Sequence, residues 1–160
     1  MNTSPRRSSP PRAAGEVSPR RHEPVGAGPT ADVLDLHVLA DLTDEVGEAA
    51  ARRFVDAFSA ALEGRMSRLT AAAGKGQTFE TYEVATNLAA ASAMIGAGPL
   101  ARTTWTVAWD AVRTGTLPTA ETLRILEHLA AATATELARH RDATAYRSAP
   151  ASGGQAPSNR

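Results

Sequence analysis

The sequence predicts an all-α protein, an antiparallel four-helix bundle with a short N-terminal lid helix, set between two disordered tails. Three observations lead there. Between residues 30 and 142 apolar side chains recur three or four positions apart, and no stretch alternates Val, Ile, Thr or Tyr with polar residues as a half-buried strand would. Glycine-containing breaks divide this pattern into helical lengths joined by loops of about two to eight residues, which favours antiparallel neighbours. Six of the ten prolines fall in residues 1–29 among Arg, Ser and Gly, and residues 143–160 are again Ser, Gly, Pro and Ala, so neither end has much to bury.

Val33, Leu36, Leu39, Leu42 and Val46 mark the lid helix, with Gly47 placed to close it in a left-handed cap. Phe54, Phe58, Leu62, Met66 and Leu69 form the apolar stripe of a second helix that stops at Gly74-Lys75-Gly76. A third is expected from Thr78, whose hydroxyl suits a cap, with Tyr82, Ala85, Leu88, Ser92 and Ile95 on one side. The fourth is expected from Leu100 to Thr114, closed by Gly115, with Thr104, Val107 and Ala111 beside a stripe of Trp105, Trp109 and Val112. The fifth begins near Pro118-Thr119 with Glu121 in its first turn and buries Leu123, Leu126, Ala130, Thr133 and Leu137. Arg139, His140 and Arg141 suit its C-terminal dipole. With only 4% aromatic residues, packing must rely on Ala and Leu.

Seventeen bases balance seventeen acids, but unevenly: residues 1–29 sum to +3, residues 30–142 to −5 and residues 143–160 to +2. An acidic body between basic tails is unlike a nucleic-acid reader, which carries its bases on a folded face. The absence of cysteine excludes disulfides, thiolate chemistry and cysteine-ligated metal. No apolar run approaches the roughly 20 residues of a membrane helix, and no apolar segment follows the N-terminal bases as in a secretory signal. The density of Pro argues against the amphipathic helix of a transit peptide. The protein is therefore expected to be cytoplasmic, without membrane or nucleic-acid partners.

From Leu34 to Arg141 the pattern resembles the histidine-containing phosphotransfer (HPt) domain, the helical bundle that relays phosphoryl groups between receiver domains in two-component signalling. Leu34-Asp35-Leu36-His37-Val38-Leu39-Ala40-Asp41-Leu42, then Gly47, Phe54 and Phe58, is similar to the family's first helix and the start of its second. Ala85-Thr86-Asn87-Leu88-Ala89-Ala90, five residues, then Gly96-Ala97 and Leu100, matches the family's Ala-His-x-Leu-Lys-Gly-x-x-x-x-x-Gly-Ala with a later Leu. Thr104, Val107 and Gly115 stand where the family has Cys, Leu and Gly, and the family's Leu-Glu pair becomes Val107-Ala108. In this register Thr86 occupies the phosphoacceptor position, Ala89 that of the supporting lysine and Ala90 that of the small glycine.

Phosphoryl relay needs an imidazole nitrogen, nucleophilic near neutral pH, whose phosphoramidate stays high in energy. A threonine hydroxyl without a general base is a poor nucleophile, and its phosphate ester is too stable to pass to aspartate. Without the lysine, the charge that would hold phosphate oxygens is lost. The resemblance therefore implies an HPt-like pseudo-phosphotransfer module with no catalytic residue and no cofactor. It would bind a receiver domain or sensor histidine kinase through an outward, uncharged face of Thr86, Ala89, Ala90 and Ala93.

Trp105 and Trp109, four apart on one helix, are expected in the core against the lid or the fifth helix; if exposed, they would extend the partner surface. A homodimer seam through the Thr86 face and the tryptophans is one rival reading. A relay through His128, beside Glu127, is another. His22 lies in the tail, His37 is placed to pair with Asp41, and His140 stands between two arginines. No Glu-x-x-His pair or His-Glu-x-x-His supports a metal centre, and Gly74-Lys75-Gly76 lacks phosphate-loop spacing.

Overall fold

The computed structural model describes residues 33–148, and for 145–148 the backbone alone. Five helices follow one another: α1 (Leu36–Val46), α2 (Glu48–Gly74), α3 (Thr78–Met94), α4 (Gly98–Thr114) and α5 (Ala120–Ser148). Among the described residues there is no strand, so the all-α bundle expected from the spacing is what forms. The segment 1–29 and the end of the second tail, from 149, lie outside the described residues.

Helices α2 to α5 each bury an apolar stripe, whereas α1 buries Leu39 alone and leaves Leu36 and Val46, expected in its stripe, exposed. Phe58, Leu62, Met66 and Leu69 of α2 meet Val84, Ala85 and Leu88 of α3, Leu100, Val107 and Ala108 of α4, and Leu126, Ala130 and Leu137 of α5 in one core. Phe54, Tyr82 and Leu123 pack against it partly buried. The closest pairing is α3 with α4, where Ala85, Ala89, Ser92, Ala101, Thr104, Ala108 and Ala111 are all buried. Side chains this small let two helices approach until their backbones nearly touch.

Among the four fully buried hydroxyl residues, three follow one pattern and Ser92 departs from it. Thr81, Thr104 and Thr133 donate to the carbonyls of Gln77, Leu100 and Leu129 at 2.7 to 2.9 Å, satisfying themselves within their own helices. Ser92, fully buried, has no hydrogen-bond partner for its Oγ. Ser92→Ala removes an unsatisfied polar atom at almost no loss of volume. We expect urea denaturation to find the variant equal to the parent or up to about 1 kcal/mol more stable. A loss of about 1 kcal/mol or more would mean that the hydroxyl is satisfied in solution.

Local details differ from expectation in five places. Gly47 has φ 82 and ψ 151, not a left-handed cap; it ends α1 and begins α2, turning the chain in a single residue. Thr78 does not cap α3, whose cap residue is Gln77 with no side-chain bond. Helix α4 begins at Gly98, two residues early, because Pro99 fits the first turn where no N–H is needed. Helix α5 runs past residue 142 to Ser148, so Arg139, His140 and Arg141 are not at its end. Arg139 instead pairs with Glu136 at 2.9 Å and Arg141 approaches Asp142 at 3.8 Å. His37 and Asp41 form no ion pair; Asp35 caps α1, its Oδ1 accepting from the His37 N–H at 2.9 Å.

The lid is fastened to the far end of the bundle. Asp35 N–H donates to the Gly96 carbonyl at 2.9 Å, and Leu34 and Leu39 are buried beneath it. Gly96 lies at the turn between α3 and α4, so one glycine joins the lid to the helix pair that carries the candidate site.

Candidate functional site

Helical phase decides which residues of α3 and α4 share a face. On α3, Glu80 approaches Arg68 of α2 at 3.8 Å, so that flank points toward α2. At about 100° per residue, Tyr82, Thr86, Ala89 and Ala93 fall on the opposite flank, beside α4. On α4, Thr103, Thr106, Val107 and Asp110 line a cleft with Thr116 to Thr119 and Thr122, so that flank points toward α5. Trp105, Trp109 and Val112 therefore stand on the flank toward α3. The Thr86 positions and the tryptophans, separate motifs in the sequence, border the same α3/α4 seam.

Within this face the side chains do not behave alike. Ala90 and Ala93 are exposed, as expected for a docking surface. Ala89 is 3% exposed, which corrects its assignment to the surface: it lies where α3 meets α4 and acts in packing. Thr86 is half-buried, and its Oγ1 is shut off from solvent without a hydrogen-bond partner. The expectation of a fully outward threonine is corrected accordingly. No base is hydrogen-bonded to the hydroxyl, so nothing activates it as a nucleophile.

The tryptophans also depart from expectation. Trp105 is 53% and Trp109 54% exposed, neither packed in the core nor against the lid or α5. Leu100, Thr104, Val107, Ala108 and Ala111 already fill the inward side of α4, and the indoles lie about a quarter turn or more beyond it. Val112, also 54% exposed, continues the ridge, and the Arg113 guanidinium lies 5.3 Å from the Trp109 ring centroid. Phe79 at the start of α3 is 70% exposed, 6.4 Å between ring centroids from Tyr82. Sequence reasoning missed Phe79, although at about 100° per residue it falls on the side of α3 opposite Leu88.

The histidines are scattered. His37 and His128 are exposed on α1 and α5, and His22 lies outside the described residues. His140 borders a groove of about 560 Å³ between α1, α2 and α5, floored by Leu39, Ala51, Val55 and Leu137 and rimmed by Asp44 and Asp56. Nothing in the sequence pattern pointed to that groove. Among the described residues no three His, Asp or Glu side chains are grouped to hold a metal ion, and no helix is long and apolar enough to cross a membrane.

The chain superposes on the crystal structure of histidine-containing phosphotransfer protein B (HptB) from Pseudomonas aeruginosa PAO1 with a TM-score of 0.64. The match covers 73% of this chain and 98% of that protein, at 23% sequence identity. The fold is HPt-like. No family model and no curated protein matches the sequence. Helical phase sets Thr86 on the seam-facing side of α3.

Proposed function

We propose that this HPt-like bundle is a signalling module of two-component phosphorelay type that docks a receiver or sensor kinase domain without accepting phosphate. The observation that carries the reading is Thr86, which the resemblance sets at the phosphoacceptor position and whose hydroxyl is closed off from solvent and from any hydrogen-bonding base. The position of the supporting lysine holds a buried alanine, so no cation on α3 faces an incoming phosphoryl group. Small residues at 90 and 93 keep the surface open to a partner, and the indoles of Trp105 and Trp109 offer the apolar anchors that partner surfaces use. Such a module would work in the cytoplasm, where it would hold a receiver or kinase in place without draining phosphate from it.

Two measurements on the full chain test this. Incubation with a phosphorylated receiver domain, or with acetyl phosphate, is expected to leave no acid-labile, base-stable label on the protein. Titration with an unphosphorylated receiver is expected to shift tryptophan emission, since both tryptophans of the chain border the face. Acid-labile label on the parent would overturn the reading, and its loss in His128→Gln would assign a relay to α5 instead.

A further inference from the structure

We infer that the α4 ridge is a self-association surface, and that its occupant is a second copy of this chain, packed α4 against α4 about a two-fold axis. Four of the seven aromatic residues of a chain otherwise poor in them stand along α3 and α4: Phe79, Tyr82, Trp105 and Trp109. Two indoles and a valine at positions 105, 109 and 112 follow helical spacing, each more than half exposed. Aromatic side chains can bury 150 to 250 Å² each, so with Phe79 the ridge leaves on the order of 400 Å² of apolar surface open. A standard interface takes about 800 Å² from each partner, somewhat over half of it non-polar. The ridge by itself accounts for about half of that area, all of it apolar.

Charge favours an identical partner over an oppositely charged one. The exposed charges of this stretch are few and mixed, Arg102 and Arg113 on α4, Glu83 on α3 and Asp110 on the α5-facing flank, a set that neither strongly repels its own copy nor selects a strongly basic or acidic partner. A two-fold axis crossing at the height of Val107 would set Trp105 of each copy opposite Trp109 of the other, an isologous contact that closes on itself. This inference does not depend on receiver docking. The two share the seam, so dimer and receiver complex would exclude each other.

The test is sedimentation equilibrium of the full chain from about 1 μM to about 1 mM, with tryptophan emission followed over the same range. A rise from monomer to dimer mass is expected, accompanied by a blue shift of the emission. Trp105→Ala and Trp109→Ala, at exposed positions where folding is not at stake, are each expected to weaken dimerisation at least about thirtyfold with the helical circular dichroism unchanged. A monomer at every concentration would overturn the inference, as would a dimer that survives the double substitution. So would a blue, concentration-independent emission that reddens on removal of residues 1–29, because the chain's own segment would then cover the ridge. A monomer whose emission still responds to a receiver would leave the proposed function standing while the dimer falls.

Discussion

Gly96→Ala is expected to lower the stability of the protein by about 3 kcal/mol or more, the largest effect of any single-methyl addition to the bundle. Gly96 has φ +81, a conformation that costs an L-residue roughly 1–2 kcal/mol. An added Cβ would also lie 2.3 Å from the Asp35 carbonyl oxygen and 3.1 Å from the Val38 Cβ. The first neighbour is backbone and cannot rotate away, so the lid must move and the 2.9 Å bond from Asp35 N–H to the Gly96 carbonyl is lost. Gly115 separates the two causes: its φ is +67, but nothing lies within 4 Å of an added Cβ. Gly115→Ala should therefore cost only the backbone term, about 1 kcal/mol. Urea denaturation of both variants checks the difference, and amide exchange in α1 should accelerate in Gly96→Ala alone. Equal losses would show that the lid does not approach the turn this closely.

Thr86→His is expected to give α3 an acceptor for acid-labile phosphate from a phosphorylated receiver. The longer imidazole would extend beyond the α3/α4 seam where the threonine hydroxyl stays enclosed, and Ala90, small and exposed one turn later, leaves room for it. Its ring nitrogen is nucleophilic near neutral pH without a separate base. Ala89→Lys should add little to this and reduce stability, because position 89 is buried and an ammonium there loses its hydration. A folded Thr86→His protein that takes no label from a receiver its parent binds would place the acceptor site elsewhere.

These two residues show how differently sequence and structure inform the same motif. The register of Ala85, Leu88, Gly96-Ala97 and Leu100 was legible because it is made of helix phase and turn chemistry, both properties of neighbours along the chain. That this stretch holds a hydroxyl at Thr86 and no histidine was legible directly from the residues. That Ala89 is buried and the Thr86 oxygen enclosed was not, since both depend on how near α4 comes to α3. The tryptophans failed in the opposite direction. Hydrophobicity argues for burial, but Leu100, Thr104, Val107, Ala108 and Ala111 already occupy the inward face, and phase leaves the indoles outside.

Five helices, their order and most of their breaks can be read from the chain, because periodicity and turn chemistry are local. Tertiary structure alone decided that the lid hangs from Gly96, that Thr86 and the two tryptophans border one seam, and that an apolar ridge is left open on α4. Those facts arise from distances between residues far apart in the chain, which only packing sets.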